Sequence, residues 1–592
     1  MRTMSSSAAI PEGFNRRRIS VLRWRRRGRA LVAVLAAGIP VALAGYYVVD
    51  FLARTPRERR LASRSFLERV MYGARMNSVL AWNWLTAEQD DPKGTSLPVM
   101  ELYIRQERIK ALNAHLPQSG KFFQPGVFKV RVKGQPNEVF SANLRYRGDS
   151  MNHWAFPQKS WRIKLKRKAR YLGMRQFNLY LPRTKSQVPD FLGYRLAESM
   201  GGLIVPKAFP VHLRVNRKFD GLRVFLEQIN DDFFVNHHLP AETLLIGDIG
   251  FKDVYDYQSR KLLFKDAGAW EVVPVASKDA KAVSQLQALV TLLPLAEPEP
   301  ERFKREVEAL LDVRSTLRYM AYLEVVDSVH ADDTHNQRFY LSKETKKLHP
   351  IVWDPVAYYR ESNEGIDFAS NELFVALLLI PEYRNEKNRY IWEAINGPLG
   401  PERIEAMISA SAESIRQEIM ASPQKVFTHR SNLDILLNSQ WSTSVRQLVE
   451  KMRIRSSVLV DSLAKHSVVA TVADSRPGME DISITVGADS GVLIKEIVLE
   501  GGSSSKASLR VTQGEATSTV AMFDPKSQGY VVPVSLFVSS SRKIDKNGNL
   551  IRESTTVAIP LTFNNPAARV RELRAENTVT GEIVTIPVKR GA

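Results

Sequence analysis

The chain holds 592 residues, 44% of them hydrophobic and 25% charged, which is enough for more than one globular core and argues against a disordered chain or a many-span membrane protein. Its 84 lysines and arginines outnumber 63 aspartates and glutamates, for a formal charge of +21, and cysteine is absent, which excludes disulfides, thiolate zinc sites and cysteine nucleophiles. The charge does not single out nucleic acid: nine arginines (Arg2, Arg16, Arg17, Arg18, Arg23, Arg25, Arg26, Arg27 and Arg29) crowd the N terminus, where lipid accounts for them better, and the remainder is spread thinly. No nucleic-acid partner is expected.

The basic tail, residues 1–29, leads into ALVAVLAAGIPVALAGYYVV at residues 30–49, an uncharged run long enough to cross about 30 Å of hydrocarbon. A cleaved signal peptide is the rival, but its apolar region would be shorter and end in small residues, whereas Tyr46, Tyr47, Val48, Val49, Asp50 and Phe51 follow here. Residues 30–51 are therefore expected to form one transmembrane helix in contact with membrane lipid. Only Arg54, Arg57, Arg59 and Arg60 follow it closely, so the positive-inside rule puts the N terminus in the cytoplasm of a bacterial-type inner (plasma) membrane and the main body outside.

Residues 64–89 have the spacing of an amphipathic juxtamembrane helix, and residues 90–98 read as a linker, closing a segment at 52–98. From 126 to about 230 the pattern is mostly that of strands. Val127 to Val132 and Trp161 to Lys166 alternate apolar with polar, the period of a sheet covered on one face. Residues 190–200 interrupt this with a helical pattern. A helix is expected over 282–293, a break at Pro294 to Pro300, then one long helix over 302–329 and a strand at Ile351 to Trp353. Helical character continues to about residue 464. After 468 the sequence is β-rich with a tight-turn signal at Asp545 to Gly548, which predicts an all-β sandwich of immunoglobulin-like size over 468–592. The expected fold class is α+β, with a mixed-sheet and helical domain over 99–467.

Four places carry possible chemistry. Gly148, Asp149 and Ser150 make a turn before Lys159 and the strand Trp161 to Leu165, so Arg162 and Lys164 share one face; this suits phosphate binding, or simply a basic exposed strand. The tripeptide Arg147-Gly148-Asp149 is taken as chance. Glu227 lies in an apolar run where a carboxylate wants a cation, as it would in an ordinary structural ion pair. His330, Asp332, Asp333, His335 and Asn336 fall within seven residues; they are turn formers, a transition-metal set, or oxygen ligands for magnesium. Asp354 ends the apolar run Ile351 to Trp353, as a magnesium ligand or as a turn former before Pro355.

The order of these parts matches that of protein-kinase-like phosphoryl transfer. More particularly, RGDS at 147–150 with PQKSWRIKL at 157–165 resembles the glycine turn and basic strand of the spore-coat protein H (CotH) kinase family. PDFLGYRLA at 189–197, Val215 to Gly221, Phe225 to Glu227, LDVRS at 311–315, Asp332 to Tyr340 and Ile351 to Asp354 are similar to further pieces of that family, in the same order. The resemblance implies an atypical kinase fold binding ATP and Mg2+. It implies that Gly148, Ser150, Lys159, Arg162 and Lys164 hold the nucleotide, with Glu227 holding Lys164. Asp332 or its neighbour Asp333 would orient or deprotonate the acceptor hydroxyl, and Asn336 and Asp354 would carry magnesium. One departure stands out: the family places a second aspartate two residues after its Trp-Asp, and here that position is Val356. The implied function is a membrane-anchored kinase acting on a protein or envelope glycan. The alternatives are a kinase-like scaffold without catalysis in envelope or exopolysaccharide assembly, and an anion-binding surface protein.

Overall fold

The computed structural model describes residues 66–590, apart from 89–90, 93, 117–121, 149–152, 155–156, 250–261, 276–280, 359–364, 430–431, 466, 501–507, 512–516, 521, 525–528, 546–549 and 564–565. The expected transmembrane segment at 30–51 lies outside the described residues, and among those described no helix is long and apolar enough to cross a membrane. The body is α+β. Helix α1 (Phe66–Leu85) packs Met76 against Trp154, Val426, Leu433 and Ile435.

Seven strands then close a barrel: β1 (Val99–Tyr103), β2 (Gln124–Arg131), β3 (Glu138–Tyr146), β4 (Trp161–Leu165), β5 (Gln176–Tyr180), β6 (Ala208–Val215) and β7 (Lys218–Glu227). Helix α2 (Gln106–Ala114) follows β1, and α3 (Pro189–Met200) follows β5 with its proline in the first turn, where no amide hydrogen is needed. The order β1-β2-β3-β4-β5-β7-β6 is closed by parallel pairing of β1 with β6. Period-two alternation decides what fills the barrel: Trp161, Ile163 and Leu165 point inward with Phe128, Phe177 and Phe225, while Arg162 and Lys164 face out.

The second lobe begins with α4 (Asp231–Asn236), β8 (Ala241–Gly247) and β9 (Glu271–Pro274), then α5 (Lys281–Leu292), α6 (Pro300–Leu310) and α7 (Val313–Val325). The single long helix expected over 302–329 is therefore two. Asp312 breaks it, because its carboxylate accepts the Ser315 amide at 2.9 Å and starts a new helix, while Leu311 bridges to Leu348. Strands β10 (Gln337–Ser342) and β11 (Leu348–Pro350) complete a four-stranded sheet in the order β11-β10-β8-β9. Helices α8 (Glu372–Leu379), α9 (Pro381–Ile395) and α10 (Pro401–Ala421), the hairpin β12 (Val426–His429) and β13 (Asn432–Ile435), and α11 (Trp441–Ala464) enclose the largest core.

The C-terminal strands form two sheets that meet at one shared strand. One sheet contains β14 (Val468–Arg476), β15 (Met479–Val486), β17 (Ser508–Val511), β18 (Thr517–Val520) and β23 (Thr555–Phe563); the other contains β16 (Val492–Glu500), β19 (Met522–Asp524), β20 (Gly529–Val538) and β24 (Arg569–Asn577). Strand β25 (Ile583–Lys589) joins them, pairing parallel with β14 and antiparallel with β24, and the inner faces share one apolar core. The hairpin β21 (Ser541–Ile544) and β22 (Leu550–Glu553) leans on the helical lobe.

That contact is ionic and buried. Asp367 takes Lys387 Nζ at 2.5 Å and Arg542 Nη2 at 2.5 Å, Arg542 also reaches Asp489 at 2.7 Å, and Arg384 Nη2 donates to Ser539 Oγ at 2.9 Å. Burial alone would raise the Asp367 carboxyl, but the charges of Lys387 and Arg542 outweigh it and hold the group well below the usual carboxylate range. Its contribution is thus present above the unfolded value of about 3.9 and is lost only as the pH falls well below that. Arg542→Ala, which strips a partner from a buried carboxylate, is expected to cost about 3–5 kcal/mol in chemical denaturation. A loss under about 1 kcal/mol would show that the pair is not load-sharing between the two parts.

Candidate phosphate-binding cleft

The site is built from two loops of the second lobe facing the outer surface of the barrel. After α7 the chain turns through His330 to Asn336 into β10. Asp332 Oδ1 accepts the Thr334 amide at 2.7 Å, the Thr334 hydroxyl at 2.8 Å and the His335 amide at 3.0 Å, and lies 2.8 Å from His335 Nδ1. Burial raises this carboxyl, but the His335 hydrogen bond and charge outweigh it, so Asp332 ends below its ordinary range; the same pairing raises His335 against the pull of its own burial. Asn336, at φ 64°, donates Nδ2 to the His330 carbonyl at 3.0 Å.

His330 connects this loop to the second. Its Nδ1 lies 3.2 Å from Asp354 Oδ2. Asp354 sits in a left-handed turn at φ 49°, its amide donates to the Tyr194 hydroxyl at 3.0 Å, and Arg183 Nη2 donates to both carboxylate oxygens at 2.7 and 2.5 Å. Burial acts to raise Asp354, but Arg183 and then His330 bring it well below the usual range. Helix α3 comes close enough to hold this turn only because it carries Gly193, where an added Cβ would stand 1.8 Å from the Pro355 carbonyl oxygen.

The barrel contributes cations. Arg145 on β3 is directly opposite Arg162 on β4, and Arg162 Nε donates to Asn178 Oδ1 at 2.8 Å on β5. Arg147 lies over the Tyr180 ring, 5.4 Å from its centroid. Burial lowers all three guanidiniums and their mutual repulsion adds to it: Arg162 falls well below its ordinary value through Arg145 and Arg147, and Arg145 is pushed down to about 10. Arg147 is also lowered by burial, with Asp354 partly offsetting the effect. Crowded positive charge of this kind is relieved by an anion. Gly148, at φ 92°, is required beside it, since a Cβ would stand 2.1 Å from the His153 ring.

The expected site residues divide accordingly. Asp332, Asn336 and Asp354 come together through His330. Gly148 and Arg162 lie on the facing barrel wall, and Lys164 shares the outward face of Arg162, opposite Asn143 and Gln176. Ser150 lies outside the described residues. Glu227 does not hold Lys164. The register Ile163, Phe177, Glu227 puts it on the inward face, where it accepts the Lys207 amide at 3.0 Å and pairs with His237 at 2.9 Å. Lys159 also turns inward, donating to the Trp154 carbonyl at 2.5 Å beside the Tyr146 ring. Asp333 turns away from the cleft to α8, where it shares its carboxyl with Glu372 and accepts that residue's amide at 3.2 Å. Sequence reasoning missed Arg183, Arg145 and Tyr194; His330 was in view as part of its loop, and Arg147 was in view beside the glycine turn but was set aside with its tripeptide.

Magnesium does not fit this arrangement. Both oxygens of Asp354 already carry a guanidinium, Val356 offers no carboxylate, and among the described residues no three His, Asp or Glu side chains group to hold a metal. The family model described as CotH kinase protein matches residues 144–459, more than half of the chain and both walls of the cleft. The chain belongs to the CotH kinase family and is kinase-like. No curated protein matches it.

Two outcomes follow from the geometry. Gly193→Ala drives a methyl into the Pro355 backbone and should destabilise the protein by about 1–3 kcal/mol in thermal or chemical denaturation. Burial, then the Glu372 hydrogen bond and charge, push the Asp333 carboxyl up to about 8. A carboxyl raised above its unfolded value of about 3.9 contributes stability below that value and loses it as the pH rises through the folded one. The melting temperature should therefore fall as the pH rises from about 4 to about 8 and level off above that, and Asp333→Asn should flatten the fall; a wild-type curve flat between about pH 5 and 8 would contradict the shared proton.

Proposed function

We propose that this member of the CotH kinase family is a membrane-anchored, kinase-like protein of the cell envelope whose cleft binds the polyphosphate of ATP through arginine charge rather than through paired magnesium ligands. The single observation that carries this reading is the cluster of Arg145, Arg147 and Arg162, whose Arg147 lies near enough to Asp354 to feel its charge, while Arg183 already neutralises that carboxylate. Guanidinium forks match phosphate oxygens in geometry and remain charged on binding. Membrane anchorage through residues 30–51, with the body outside the cytoplasm, is part of the same proposal and rests on the arginine asymmetry of the N terminus.

A second reading, phosphoryl transfer itself, has one specific support. Asp332 Oδ1 takes the loop's hydrogen bonds, and Oδ2 has no partner among the described residues. An acceptor hydroxyl there would give its proton to Asp332 while its oxygen bonds to the γ-phosphorus and the bond to the β-phosphate oxygen breaks, releasing ADP.

Thermal denaturation with ATP tests the first reading. At a hundred times its dissociation constant ATP should stabilise the chain by about 2.7 kcal/mol, equally with magnesium or with EDTA. Arg162→Ala should abolish the gain while the far-ultraviolet circular dichroism is unchanged. Stabilisation that needs magnesium, or that survives Arg162→Ala, would refute it. Transfer of label from γ-labelled ATP to an envelope fraction, lost in Asp332→Asn, would establish the second.

A further inference from the structure

The outward face that carries Arg162 does not stop at the cleft. On β3 the outward positions are Arg145, Asn143 and Ser141; on β4 they are Arg162 and Lys164, with Lys166 directly after the strand. Gln176 and Asn178 lie beside them on β5, and Phe123, Pro125 and Val127 on the β2 side. No aspartate or glutamate occupies any of these positions. At about 3.3 Å per residue, the row runs roughly 20 Å from Arg147 to Ser141.

At its far end lies an open groove of about 540 Å³, walled by Tyr103, Arg105, Arg108, Ser141 and Lys166 and floored by Gly126. Ligand sites typically fall in the range of about 300–1,000 Å³. The groove has fixed walls. Arg108 Nη1 donates to the Pro125 carbonyl at 2.6 Å, and Asn216, at φ 48° in the β6–β7 turn, clamps Ile104 with its Oδ1 accepting the amide at 2.9 Å and its Nδ2 donating to the carbonyl at 2.8 Å. Helix α2 opens beside it with no side-chain cap on its first turn, where Glu107 is the one acidic residue.

We propose that groove and row together form a track for an acidic oligosaccharide, a glycan bearing carboxylates or phosphates, which runs along β3 and β4 into the cleft and makes such a glycan the acceptor class of this protein. The assignment as acceptor rests on the reading of the cleft given above; the binding itself does not. Asn178 is buried against Arg162 and Gln228 and Arg145 is buried beside them, so the accessible part of the row is Ser141, Asn143, Lys164, Lys166 and Gln176; with a flank of Pro125 and Val127 it suits a ligand that presents anionic groups, hydroxyls and apolar C–H faces. A flat bilayer does not reach into a concave groove, and a duplex nucleic acid is too broad for it.

The test is binding of a uronic-acid hexamer (oligogalacturonate) to the full chain in detergent, by calorimetry, at low and high salt. Wild type should bind it in preference to neutral dextran oligomers and lose affinity with salt. The variant R105E/K166E, changed at two exposed positions, should bind at least about tenfold more weakly while its stabilisation by ATP is unaltered. Arg108→Gln, which removes one charge from the groove wall, serves as a second variant if that one fails to fold. Equal binding of dextran, unchanged affinity in both variants, or tighter binding to phosphatidylglycerol vesicles or single-stranded DNA would overturn the track. Loss of the ATP effect in wild type with hexamer binding intact would refute the cleft reading and leave the glycan site standing.

Discussion

The cleft is organised around one buried carboxylate. Asp354 follows Ile351 to Trp353, whose pattern predicts a strand but which runs on past the end of β11 outside any strand, and a charge taken out of water there demands compensation. Arg183 and His330 supply it. Through His330 the same charge fixes Asn336, and through its backbone amide it engages Tyr194 on α3. Elements far apart in sequence therefore converge because one anion needs partners, and Gly193 exists at the point where α3 would otherwise be held off.

The same principle recurs where the C-terminal sheets meet the helical lobe. Asp367 gathers Lys387 and Arg542, and Arg542 passes the charge on to Asp489, which also takes Arg552 at 2.9 Å. Apolar burial supplies the bulk of each core, but its interactions are non-directional. The ionic contacts are what orient one part against the other, since each has few geometries that satisfy it.

Local pattern made much of this legible. The alternation of Trp161 to Leu165 was readable because one face is buried and the other is not, and the helical pattern of residues 190–200 marked α3. The turn-forming composition of Asp332 to Asn336 gave the loop its place before β10. Long-range pairing was not legible. Arg183 and Asp354 are separated by 171 positions, and nothing in LPRTKS marks that arginine as the partner of a distant aspartate. Glu227 shows why order along the chain is a weaker guide than strand parity: it follows Lys164 as the family order requires, yet the hydrogen-bond register turns the two side chains to opposite faces. The split of the expected long helix at Asp312 has a similar origin, a cap that competes with continuation and wins because Leu311 has a strand to join.

The parallel pairing of β1 with β6 has a consequence for how this molecule meets others. By completing the barrel it consumes the backbone donors and acceptors that a terminal strand would otherwise present. A visiting polypeptide cannot lengthen that sheet, so recognition at the barrel is a matter of side chains alone. Among the described residues, the C-terminal strands end in β18 and β19, the edges at which any strand addition would take place.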